Sequence, residues 1–289
     1  MATRLEGRPA QRTPWRAAEF VALTYFVYTA VLASLHFHAS TRTALAWMLP
    51  LVLWALVRIE SYNSRPWSRI VRDWSPLALI LPGYWEMNWF RSDSLVAWEH
   101  AWVGWDRAIL EGWKLRSLLE ALGPPIPAML EAAHLFLYTL PLLGIAALYI
   151  SGRRDRVDRF LTTLLLGVFT SYALLPYFPS GSPRLAFPGT DLPTFGGIFR
   201  TANLWLLSRF DITTSVFPSG HVSVAFSVAF GSLRALPERR RLIWGFFGVA
   251  MAVYVATIYG RYHYAVDGLA SMGIACLAWW VSPLVEQHV

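Results

Sequence analysis

Phe217-Pro218-Ser219-Gly220-His221 and, about forty residues on, Arg261-Tyr262-His263-Tyr264-Ala265-Val266-Asp267 each stand at the mouth of a long apolar run. A Pro-Ser-Gly-His turn that opens a helix gathers free backbone N–H groups, a hydroxyl and an imidazole around one point, a set suited to an anion. In the second stretch His263 and Asp267 are four residues apart and share a face if the segment is helical. The carboxylate can then hold one imidazole nitrogen and set which tautomer is present. Two histidines, one of them oriented by an acid, beside an anion-binding helix start outline a phosphoryl-transfer site.

The composition places this site in a membrane. Of 289 residues 55% are hydrophobic and 15% charged, fifteen are Trp, and the mean hydropathy is +0.40. That is more apolar surface than a soluble domain of this size can bury, so the expected class is an integral membrane protein. The single cysteine, Cys276, lies inside an apolar run and offers neither a disulfide framework nor a thiolate metal site. The net charge is +7 and Lys114 is the only lysine. The arginines cluster in short loops between apolar runs, a pattern of membrane orientation rather than of nucleic-acid binding. The bilayer and a membrane lipid are the expected partners; nucleic acid is not.

The expected fold is all-α, a polytopic helical bundle. Residues 1–16 carry Arg4, Arg8, Arg12 and Arg16 and read as a cytoplasmic tail. Residues 17–35 are long enough to cross about 30 Å of hydrocarbon as a helix. They are also too long for the core of a signal peptide. Further apolar runs follow at 44–57, 126–150, 160–178, 222–236, 242–259 and 264–281. The run 74–90 contains Pro76, Pro82, Gly83, Glu86 and Asn88 and reads as a kinked span or a re-entrant segment. Residues 95–120 alternate tryptophans with charges at helical spacing, as an amphipathic helix in the headgroup region does. A helix packed on the bundle is the other reading of that stretch. The Pro/Gly-rich loop 178–218 is too long for a plain connector. Three parts result: the tail 1–16, N-terminal spans and interfacial helix over 17–121, and a core over 122–289.

Counting charge orients the bundle. With 74–90 crossing, eight spans put both termini on one side, together with sixteen of the 25 basic residues. These are Arg4, Arg8, Arg12 and Arg16; Arg58, Arg65, Arg69 and Arg72; Arg153, Arg154, Arg156 and Arg159; and Arg234, Arg239, Arg240 and Arg241. The positive-inside rule makes that side cytoplasmic. Arg184, His221 and His263 then gather at the outer mouth, with a bacterial inner membrane as the expected location.

These motifs resemble the type 2 phosphatidic acid phosphatase superfamily, whose signatures run Lys-x6-Arg-Pro, Pro-Ser-Gly-His and Ser-Arg-x5-His-x3-Asp. The middle signature is complete at Pro218, Ser219, Gly220 and His221, and the last keeps His263 and Asp267. The arginine expected six residues before the second histidine is Thr257, with Arg261 two before it instead. In the first signature Arg184 follows Pro183 rather than preceding a proline, and Tyr177 stands where lysine is expected. The resemblance covers residues 175–270. Its departures are similar to those of the inositol phosphorylceramide and sphingomyelin synthase branch.

The resemblance implies a six-helix phosphatase-like core with extra N-terminal helices, and it implies roles. His263 would be the nucleophile, Asp267 its orienting acid, and His221 the acid for the leaving oxygen. Ser219, Gly220 and Arg184 would bind phosphoryl oxygens, with Arg261 and Arg200 as further candidates. Arg261, two residues from His263, helps only if the helix starts after it. Tyr177 and Thr257 could donate hydrogen bonds where the family has cations. Glu86, Glu131 and His134 lie in or near apolar runs, where ionisable groups are costly and usually partnered; they could shape a headgroup or acceptor pocket at the outer mouth, or serve equally as helix-to-helix hydrogen bonds. No metal and no cofactor is expected. The implied activity is a lipid phosphatase working through a phosphohistidine. The alternatives are a lipid phosphotransferase with an alcohol acceptor and a non-catalytic transporter or lipid-binding protein.

Overall fold

A computed structural model describes residues 15–62, 66–91, 96–214 and 216–288. The expected tail with Arg4, Arg8 and Arg12 lies outside the described residues, as do Arg65 and the side chain of Arg58. Among the described residues fourteen α-helices follow in chain order: α1 (Ala17–Phe37), α2 (Thr41–Tyr62), α3 (Pro66–Ala78), α4 (Ile80–Met87), α5 (Val96–Arg107), α6 (Leu115–Ala121), α7 (Pro125–Phe136), α8 (Leu140–Ile150), α9 (Val157–Leu174), α10 (Pro183–Ala186), α11 (Ile198–Phe210), α12 (Gly220–Ala235), α13 (Arg240–Tyr259) and α14 (Ala265–Gln287). Prolines open α7, α8 and α10 in the first turn, where a missing N–H costs nothing.

Among the described residues five stretches are long and apolar enough to cross a membrane: Ala17–Phe37, Pro125–Ile150, Arg154–Tyr177, Arg240–Tyr259 and Ala265–Gln287. The chain is an integral membrane protein with a polytopic helical bundle. The other three expected spans differ in form. Thr41–Val57 is a shorter apolar helix, and α12 has 16 residues, eleven of them buried. Residues 74–90 are not one helix: α3 ends at Ala78 and α4 starts at Ile80, with the break at Leu79, three residues past Pro76. The pair still runs alongside α1 from one end to the other. At one end Asp73 accepts from Arg16 (2.7 Å), Arg154 (2.7 Å) and the Tyr149 hydroxyl (2.6 Å). At the other end Phe90 packs on His36 and Phe37, the last turn of α1. The arginine-rich end is closed further by Glu19, which accepts from Arg72, and by Asp158, whose carboxylate accepts the N–H groups that open α1.

The core is the three-helix contact of α9, α12 and α14. In a bilayer helices gain little from burying apolar surface against one another, so small residues and hydrogen bonds bring them together. Gly167 shows how close they come: a Cβ there would lie 2.2 Å from Ser227 Oγ. Beside it Ser171 donates to Ser223 Oγ (2.9 Å), which donates to the Gly167 carbonyl (3.1 Å). One turn of such contacts contributes roughly 0.6 kcal/mol per bond.

At the opposite end from the arginines, the stretch expected as one amphipathic helix is three pieces. Helix α5 passes into a π-turn over Ala108–Gly112, and Lys114, at φ +55°, redirects the chain into α6. One face of α5, with Glu99, Trp102, Val103 and Asp106, is turned into protein, Trp102 lying against Phe217 and Tyr264, while Trp98 and Trp105 are exposed. The long loop also has internal structure, with α11 running for 13 residues inside it.

Candidate active site

The two quoted motifs meet. The Phe217–Pro218 peptide is cis, and Ser219 then caps α12, its Oγ accepting the Val222 N–H at 3.3 Å. The N–H groups of Gly220 and His221, in the first turn, have no carbonyl behind them within the helix. Gly220 lies against the Tyr172 ring, where a Cβ would come within 3.1 Å. On the other motif α14 begins at Ala265, so Asp267 sits in its first turn. Its Oδ2 accepts the Tyr264 N–H at 2.9 Å and the His263 ring at 3.2 Å. The Ser219 N–H donates to the Asp267 carbonyl at 3.2 Å, which ties the two helix starts together.

Hydrogen-bond bookkeeping fixes the tautomers. A carboxylate only accepts, so His263 carries its proton on Nδ1 and presents a bare Nε2. That Nε2 lies 3.1 Å from His221 Nδ1, so Nδ1 of His221 is the donor. His221 Nε2 is then the acceptor for the Tyr138 hydroxyl at 3.1 Å. Asp267, His263, His221 and Tyr138 form one directed chain.

A second chain runs behind His221. Glu131 accepts from Arg200 (2.8 Å), Asn203 Nδ2 (2.8 Å) and the Tyr262 hydroxyl (2.5 Å). This pins the Asn203 amide, whose Oδ1 accepts from His134 Nδ1 at 3.1 Å. The His134 ring stacks on His221 at 4.9 Å and on Tyr262 at 4.5 Å. Burial raises the Tyr262 hydroxyl well above its usual value, which keeps it the donor to Glu131.

The expected cations divide. Arg184 reaches the histidine pair's surroundings: its backbone N–H donates to the Arg261 carbonyl (3.1 Å) and its Nη2 to Asp211 Oδ2 (3.2 Å). Asp211 also accepts the Tyr84 hydroxyl at 2.5 Å. Burial raises the Asp211 carboxyl, while Tyr84, His263 and Arg184 oppose that rise. Arg261 has its helix start after it, yet it turns away. It is fully buried, sits at φ +64° and donates to Asp106 Oδ2 at 2.8 Å. Arg200 is spent on Glu131 and lies over the Tyr262 ring.

Of the remaining expected residues, Glu131 and His134 are brought to the site and three are not. Tyr177 is exposed and accepts from the Tyr28 hydroxyl at 3.1 Å. Thr257 donates to the Tyr254 carbonyl, and its own carbonyl accepts the N–H groups of Tyr262 and His263, which shapes the turn without facing the histidines. Glu86 lies beside Thr29 and Tyr25 of α1, so it does not join the headgroup pocket. Sequence reasoning did not single out Tyr138, Asn203, Asp211, Tyr84 or Asp106. Asp106 had a signal, an acid on the buried side of an amphipathic stretch. The others became visible only through pairing.

A cavity of about 500 Å³ opens from His221, His263 and Asp211 and continues between Leu81, Leu142, Leu206 and Phe210. Its walls are apolar except at the histidine end, the shape expected of a site for a long-tailed amphiphile.

Residues 102–281 match the PAP2 superfamily. A PA-phosphatase related-family protein of Dictyostelium discoideum is 28% identical over 128 residues, 42% of this chain and 22% of that protein, so the chain spans less than a quarter of that relative's length. No solved structure matches.

Proposed function

The chain belongs to the PAP2 superfamily, and from that membership and its paired histidines we propose that it cleaves a phosphate ester of a membrane lipid through a phosphohistidine on His263. The observation that carries this reading is the bare Nε2 of His263, held by Asp267 and facing His221 across 3.1 Å at the head of an apolar cavity. The resting His221–His263 bond is the one a substrate replaces. His263 Nε2 attacks phosphorus, the P–O bond to the lipid breaks, and His221 gives its Nδ1 proton to the departing oxygen. Asp267 balances the charge left on the His263 ring. Arg184, the Ser219 hydroxyl and the first N–H groups of α12 hold the phosphoryl oxygens. Water then attacks the phosphohistidine, returns a proton to His221 and releases phosphate as the P–N bond breaks.

A second reading has an alcohol in place of that water, making the protein a lipid phosphotransferase. One observation favours it. Arg184, Arg200 and Arg261 are each paired to a carboxylate, and Tyr177 faces away, so little positive charge is left over for a dianion. The arginines at the far end of the bundle support a site on the extracytoplasmic face, with both termini inside.

The test uses protein in lipid nanodiscs with His263→Ala alongside, following free phosphate and new lipid species from monoester and diester substrates. Products that vanish in the variant support the reading, and free phosphate against headgroup transfer separates its two forms. Equal turnover by both proteins sinks it.

A further inference from the structure

We propose that Asp211 is a charge-selecting residue of this site: its carboxylate holds Arg184 in check and disfavours doubly charged phosphate monoesters relative to singly charged diesters. The inference rests on the phosphoryl-transfer reading above and adds to it a residue with no place in the bond-breaking steps.

The argument begins with position. Asp211 caps the end of α11 and lines the same cavity as His221 and His263. Its side chain is held at both oxygens, Oδ1 by the Tyr84 hydroxyl at 2.5 Å and Oδ2 by Arg184 Nη2 at 3.2 Å. The Tyr84 hydroxyl in turn accepts the Ile212 N–H at 3.0 Å, so the carboxylate is fixed from two sides rather than swinging on a surface. An acid is costly to bury and is out of place in a pocket whose ligand is an anion.

Counting formal charge shows what it does there. Around the histidines stand three arginines, Arg184, Arg200 and Arg261, against four carboxylates, Asp211, Glu131, Asp106 and Asp267. Arg261 and Arg200 are held by partners that do not face the cavity, so Arg184 is the cation left to meet a phosphoryl group. Its charge is already opposed by Asp211. A phosphate monoester carries about −1.5 to −2 near neutral pH, and a diester carries one charge. Each unit of substrate charge is repelled by the Asp211 carboxylate a few ångströms beyond Arg184, where the effective dielectric is well below that of water. The penalty doubles for the dianion, which makes the carboxylate a discriminator rather than a general brake.

The experiment compares dioleoylphosphatidic acid with its phosphomethyl ester, two lipids that share tails and leaving group, by diacylglycerol release in nanodiscs. Wild type, Asp211→Asn and His263→Ala are assayed at one pH and one salt concentration. Asp211→Ser serves as a second uncharged variant in case the amide disturbs folding. The expected result is a rise of about tenfold or more in the monoester-to-diester ratio of kcat/KM in both Asp211 variants. An unchanged ratio in both overturns the inference while leaving the histidine mechanism intact. Equal loss on both lipids also overturns it, since that marks a structural role. No turnover dependent on His263 on either lipid overturns the phosphoryl-transfer reading and this inference with it.

Discussion

The Asp106 carboxylate, 155 residues upstream of Arg261, holds the Arg261 guanidinium at 2.8 Å through Oδ2 and the N–H of Ala265, the first residue of α14, at 2.8 Å through Oδ1. Arg261 and Asp106 are both fully buried. One side chain on α5 thus fixes both ends of the turn that carries His263.

That arrangement predicts asymmetric stability effects. Removing one partner leaves an uncompensated buried charge, at a cost of about 3–5 kcal/mol, whereas replacing both with apolar residues costs far less. Asp106→Leu and Arg261→Met should each lower the unfolding midpoint in detergent strongly, and the two combined should recover much of it. Additive losses across this double-mutant cycle would contradict the pairing.

Asp267→Asn should separate chemistry from stability. One oxygen, Oδ2, accepts both the Tyr264 N–H and the His263 ring, so an amide with its oxygen there keeps both bonds and the unfolding midpoint should move little. The neutral amide does not balance the positive charge that attack leaves on the His263 ring. In Ser-His-Asp triads the same substitution costs about 10⁴-fold in kcat. We expect a loss of kcat of about 10³-fold or more here, read by steady-state turnover.

Tyr138→Phe removes the hydroxyl bonded to His221 Nε2. One hydrogen bond of this kind contributes about 0.5–1.5 kcal/mol, so kcat should fall by roughly tenfold at most. A larger fall would give Tyr138 a role in the reaction itself.

Much of this was legible in the sequence, and what was not has a common cause. The helices and the end that gathers the histidines follow from apolar runs and charge; the Asp267–His263 pair was expected on one helix face, but it forms across the start of α14, with His263 in the turn two residues before Ala265. Glu86 stayed open between a headgroup pocket and a helix-to-helix contact because a run with prolines fixes no helical phase; its place beside Thr29 of α1 fits the second. Arg261 was assigned by nearness in sequence to His263, but a left-handed residue in a turn points its side chain independently of its neighbours. Asp211, Asn203 and Tyr138 lie outside both motifs, on elements whose register only packing sets. The interfacial stretch read as one helix because its tryptophans repeat at helical spacing through a π-turn that keeps the pattern nearly in step.

Asp211 also gives a pH prediction. Its carboxyl is raised by burial, above its unfolded value of about 3.9. The native protein therefore favours the protonated form: its contribution to stability is complete below that unfolded value and is lost as pH rises through the folded one. Asp211→Asn carries no such titration. The unfolding midpoint of the variant minus that of wild type should increase from pH 4 to pH 8, and a difference that falls or stays flat would contradict the burial argument.

The most direct test of the central claim is to trap the intermediate. Protein in nanodiscs is quenched with base during turnover of a lipid phosphate labelled with ³²P, and the label is mapped by peptide. The account predicts base-stable, acid-labile label on His263 in the wild type and none in His263→Ala. Turnover without protein-bound label, or label that persists in His263→Ala, would contradict it.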